Sequence, residues 1–118
     1  MPHLTLEYTS NLPTFHAANA LRELNGALLA SGHFEEADIK TRAIRLDTFL
    51  VGTSPDTRGF VHVSLSILSG RSEQTKRELS ASLLDVLQTR CAPAEGVQVQ
   101  LSVEVRDIER GSYAKVAL

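Results

Sequence analysis

Residues 60–79, F-V-H-V-S-L-S-I-L-S-G-R-S-E-Q-T-K-R-E-L, change their periodicity part-way. Up to Ile67 the pattern has period two, with Val61, Val63, Leu65 and Ile67 on one side, which predicts a strand. After Gly70 the rule changes. Ser72 is an N-cap type and Glu73 carries negative charge into the first turn, where the helix dipole favours it. Leu79, Leu83, Val86 and Leu87 then mark one covered face of a helix ending near Cys91-Ala92-Pro93. Residues 97–105, V-Q-V-Q-L-S-V-E-V, return to strict alternation. The second half of the chain therefore reads strand–helix–strand.

The first half has the same order. His3 to Tyr8, H-L-T-L-E-Y, alternates Leu4, Leu6 and Tyr8 against His3, Thr5 and Glu7. From Thr14 to about Ala30, Phe15, Ala18, Leu21, Leu24, Ala27 and Leu28 have helical spacing, with Ser31-Gly32 as the stop. After F-E-E-A-D-I-K-T, residues 43–51 regain strand character, and G-T-S-P-D-T-R-G at 52–59 is a loop. These are pseudo-repeats, 1–52 and 59–118, of one domain spanning 1–118. Each helix is long enough to cross between parallel strands. The expected fold is α/β in two layers: duplicated β-α-β units forming a four-stranded mixed sheet, with both helices on one face. The other face would carry His62, Ser64, Ser66, Gln98, Gln100 and Ser102. It is polar but nearly uncharged, where a solvated face usually carries more Lys and Glu, so it is expected to meet other subunits.

Composition excludes several classes. The 118 residues suit one domain with a modest core, and 42% of them are apolar. Twelve Lys and Arg against 14 Asp and Glu leave a net charge of −2. The basic residues are scattered and only 5% of the chain is aromatic, so no nucleic-acid surface is expected. No apolar run matches a membrane span or a secretory signal, and a single cysteine, Cys91, allows no internal disulfide. A cytoplasmic protein without membrane contact is the expectation. No His or Cys pair has ligand spacing and no glycine-rich phosphate motif occurs, so neither a metal nor a nucleotide cofactor is expected.

Pro2 stands directly behind Met1. If Met1 stays, Pro2 begins a strand without harm. If it is removed, Pro2 ends the chain as a secondary amine, a group that no side chain supplies, held by a ring that limits fraying.

S-G-R-S-E-Q-T-K-R-E-L at 69–79 resembles the G-R-S-x-E-Q-K segment of the tautomerase superfamily, and E-V-R-D-I-E-R-G-S-Y at 104–113 resembles its closing strand and tail. The opening P-H-L-T-L-E-Y, with F-V-H-V-S-L at 60–65, is similar to a double-length branch, the 5-carboxymethyl-2-hydroxymuconate delta-isomerases. The resemblance implies a cofactor-free isomerase of homoprotocatechuate breakdown and a homotrimer with its sheets facing inward. Its substrate would be a small carboxylate, and Pro2 would be the catalytic acid/base. It places the substrate-binding arginine of G-R-S on Arg71. The branch's I-R-x-R reads I-K-T-R here, which puts Lys40 at the first arginine and Arg42 at the second. Lysine keeps the charge but loses the planar two-pronged grip. Regular strand geometry would set Lys40 and Arg42 on the same side. Phe34, His3 and His62 are candidate pocket residues, with core packing as the plainer role for Phe34. Alternatives within reach are a tautomerase or hydratase-type dehalogenase for a simpler acid, and a non-catalytic trimer binding an anion or a protein.

Overall fold

Alternation of branched and leucine side chains is strongest in the second half, and there the chain forms its longest strands. The computed structural model describes residues 1–54, 56–91 and 96–118. Strands β1 (His3–Thr9) and β2 (Lys40–Leu46) flank helix α1 (Ala17–Ala30). Strands β3 (Arg58–Leu68) and β4 (Gln98–Ile108) flank helix α2 (Glu73–Arg90). The sheet order is β2-β1-β3-β4. Within each unit the strands are parallel, and the two units meet through the antiparallel β1/β3 pair. The result is the expected mixed sheet of four strands.

Register follows the apolar pattern, because a slip by one residue would turn every side chain to the wrong face. Leu4, Leu6 and Tyr8 stand opposite Leu65, Val63 and Val61, and those three pair onward with Val105, Val103 and Leu101. This face packs on Leu24 and Leu28 of α1 and on Leu79, Leu83 and Leu87 of α2 in one core. Ser72 caps α2 as expected, its hydroxyl accepting the Thr75 N–H at 3.1 Å. Among the described residues no helix is long and apolar enough to cross a membrane.

Several boundaries differ from the sequence reading, β3 among them, which starts at Arg58 inside the expected loop. Helix α1 begins at Ala17 rather than Thr14, with His16 outside it as the capping residue, and Ala20 rather than Ala18 is buried. Strand β2 starts at Lys40 and ends at Leu46, so the apolar Phe49, Leu50 and Val51 lie beyond it, Leu50 being 76% exposed. An edge strand buries little, so hydrophobicity marks it poorly. Its start is fixed instead by the Lys40 N–H donating to the Pro2 carbonyl at 3.1 Å. Strand β4 runs on to Ile108. Of the expected breaks, Pro55 and Ala92-Pro93 lie outside the described residues.

Strand directions bring four chain segments to one end of the sheet. The starts of β1 and β2 lie side by side, His3 opposite Lys40. The ends of β3 and β4 join them, His3 standing opposite Ser66 and Leu68 opposite Ile108.

Candidate active site

Pro2 is fully buried at this end, and half-buried Met1 precedes it. Burial lowers the pKa of the Met1 amino group below its ordinary 8.0. Asp38 opposes the shift, while the cations Arg71, Lys115 and Lys40 add to it. Three positive side chains thus act on the chain terminus from three elements: the turn after β3, the tail after β4 and the start of β2.

Arg71 is carried into place by Gly70, whose φ of +117° belongs to the region that favours glycine. Its Nη2 donates to the His33 carbonyl at 2.8 Å, and the guanidinium carbon lies 5.2 Å from the centre of the Phe34 ring. A guanidinium stacked on an aromatic face and anchored at one nitrogen is pre-aimed. Its Nε is buried and has no hydrogen-bond partner among the described residues. Phe34 belongs to the core, its plainer role, and its ring also lies under Arg71.

Lys40 Nζ donates to the Asp38 carbonyl at 2.9 Å. Lys40 and Arg42 share the sheet face opposite the helices, as regular alternation requires, while Arg45 takes the other face and pairs with Asp47 at 3.2 Å. Arg42 Nη2 donates to His3 Nδ1 at 3.0 Å. An arginine only donates, so His3 accepts there, and its neutral ring carries the proton on Nε2, 3.0 Å from the Tyr113 hydroxyl. Burial, then Arg42, Lys40, the chain terminus and Lys115, hold the His3 pKa below its ordinary 6.5. Glu7 shares the His3 face but does not pair with it.

Arg71, Lys40, Phe34, His3 and Arg42 are thus gathered at the Pro2 end. His62 is not. It stands opposite Glu7, four positions along β1 from His3 and about 13 Å away at the usual rise. There its Nε2 is 2.9 Å from Glu104 Oε1, and its Nδ1 is 2.7 Å from Ser102 Oγ. Cys91 is half-buried, and burial pushes its thiol up to about 11, far from a reactive thiolate. Sequence reading missed Asp38, Tyr113 and Lys115. Tyr113 closes the E-R-G-S-Y tail, which was the available signal; Lys115 lies in a stretch with no periodicity at all.

Two crossover units joined through an antiparallel pair give the chain a tautomerase-like fold, with the chain terminus set among cations. The fused 4-OT wild-type symmetric trimer shares this fold with a TM-score of 0.72 at 16% identity, covering 96% of this chain and 90% of its own. The family model for 5-carboxymethyl-2-hydroxymuconate isomerase matches residues 2–117, and the chain belongs to that family. The 5-carboxymethyl-2-hydroxymuconate isomerase of Deinococcus radiodurans R1 is similar over 98% of this chain and 88% of its own, with a TM-score of 0.90 and 37% identity. The 5-carboxymethyl-2-hydroxymuconate Delta-isomerase of Escherichia coli is 26% identical over 110 residues, 92% of this chain and 87% of that protein.

Proposed function

We propose that the chain is a cofactor-independent isomerase acting on 5-carboxymethyl-2-hydroxymuconate, with the nitrogen of Pro2, freed by removal of Met1, as the proton shuttle. The reading is carried by the burial of Pro2 behind a Met1 amine on which burial first, then Arg71, Lys115 and Lys40, act against Asp38. A secondary amine among cations is biased towards its neutral form, and a base works best when its pKa lies near the working pH. Neutral Pro2 takes the proton of the 2-hydroxyl group. The electrons shift along the diene as the carbonyl forms, and protonated Pro2 returns a proton at C5. The product is the 2-oxo-3-ene isomer, and the amine ends as it began.

Arg71 grips a substrate carboxylate through its guanidinium and draws electron density from the forming 2-oxo group. Lys40 supplies a second charge. Arg42 keeps His3 neutral and oriented at the floor of the site.

The assembly we propose is a homotrimer in which the face bearing Thr5, Ser64 and Ser66 meets its copies. The symmetric trimer of the fused 4-OT neighbour supports it, as does the small, polar row of Thr5, Ser64 and Ser66 at the middle of the face. Around that row the face carries Glu7, Lys40, Arg42, Glu104 and Arg106, more charge than the sequence reading expected.

Intact mass of the purified protein reports Met1 removal directly. On Met1-free protein, P2A is expected to lose kcat about 100-fold or more, within the usual range for a positioned acid/base. R71A is expected to raise KM. Full activity with Met1 still attached, or wild-type rates in P2A, would overturn the mechanism.

A further inference from the structure

The tail beyond β4 returns to the chain terminus. Lys115 Nζ lies 2.7 Å from Asp38 Oδ1 and 3.2 Å from the sulfur of Met1. Lys115 is an exposed residue of which 27% of the side chain is accessible, and the Asp38 ion pair fixes its ammonium. The Met1 side chain thus fills space bordered by an ammonium group. Removal of Met1 would vacate space bordered by Lys115, whose ammonium keeps Asp38 as a partner on its other side.

Charge counting gives this geometry a use. 5-Carboxymethyl-2-hydroxymuconate carries three carboxylates: two at the ends of the conjugated diene and one on a flexible methylene arm. Arg71 and Lys40 answer two of them. A planar fork suits a conjugated carboxylate held flat, whereas an ammonium on a flexible stem can follow a carboxylate that rotates about its methylene. Building on the isomerase reading, we infer that Lys115 is the third carboxylate-binding cation of the site and that it recognises the carboxymethyl arm, so that the C-terminal tail sets substrate specificity.

The experiment compares two substrates on Met1-free protein: 5-carboxymethyl-2-hydroxymuconate and 2-hydroxymuconate, which lacks the arm. The variants are K115M, which keeps the stem and removes the charge, and K115R. The ratio of the two kcat/KM values is expected to move about tenfold against the arm-bearing substrate in K115M, mainly through KM, the size of one charge-assisted contact. K115R is expected to restore most of it.

Calorimetric titration with propane-1,2,3-tricarboxylate and with glutarate gives a readout independent of turnover. K115M is expected to weaken the tricarboxylate about tenfold more than the dicarboxylate. A ratio unchanged within about twofold overturns the assignment, whether both ligands hold or both weaken together as a structural lesion would make them. Failure of the isomerase reading is seen elsewhere, in an inactive wild type or an active P2A, and calorimetry decides the role of Lys115 in either case.

Discussion

At the scale of single residues, the site depends on how Arg71 is held. Gly70 makes the turn, Phe34 carries the guanidinium face, and the His33 carbonyl takes one nitrogen, while the Nε is buried without a partner among the described residues. R71K retains charge and loses both stacking and the fork, so KM is expected to rise about 10- to 100-fold, the worth of charge-assisted hydrogen bonds. R71A adds a second, electrostatic signature. Arg71 lowers the pKa of the Met1 amine. A cation acts with the same sign on a Pro2 amine one residue further along, so its removal is expected to raise that pKa and widen the pH range in which the nitrogen is protonated. The acid limb of kcat/KM against pH is then expected to move to higher pH in R71A. R71A with a KM defect and an unmoved limb would mean that Arg71 binds substrate without tuning the base.

At the scale of elements, legibility tracked burial. Strands β3 and β4 were plain in the sequence because Val61, Val63, Leu65 and Ile67 are buried and face a regular series on β4. Helix α2 was equally plain, with a working cap and three buried leucines. Leu83 is 1% exposed, and L83A is expected to cost about 2–5 kcal/mol in urea unfolding; V86A, at a partly buried position, is expected to cost clearly less. Strand β2 was misplaced because an edge strand is defined by hydrogen bonds to β1 that no hydrophobic pattern records. That error mattered for function, since it put Lys40 in a connection rather than beside His3. Of the residues gathered at this end, Pro2 and Arg71 could be singled out from ordered motifs, whereas Lys115 in the tail could not.

Strand β4 carries a further testable feature. Hydrogen bonds from Arg106, His62 and Ser64 hold the Glu104 carboxyl at about 2, below its ordinary 4.5. Between those values the unfolded chain binds more protons than the folded one, so this contribution to stability is present above 4.5 and lost as pH falls towards 2. E104Q is expected to flatten the acid limb of a stability–pH curve, followed by urea midpoints, with little change at neutral pH from this source.

At the scale of the whole molecule, the two sheet faces have opposite characters. One is sealed by both helices; the other exposes the rows around Thr5, Ser64 and Ser66, small and polar in the middle of the sheet. The charges this face does carry lie around that row, Glu104 paired with Arg106 and His62. A new unpaired charge in the small central row would be tolerated in a monomer and costly at a contact between copies, where it loses water without gaining a partner. Thr5 makes the discrimination clean. It sits on a central strand between Arg42 and Ser64, and its side chain points away from the core. Light scattering on the wild type is expected to give about three times the 12.9 kDa chain mass. T5R is expected to shift the population to the single-chain mass while circular dichroism keeps the helix and strand signal. A trimer that survives T5R, or a wild type that runs as one chain, would put the copies elsewhere and leave the polar face to solvent.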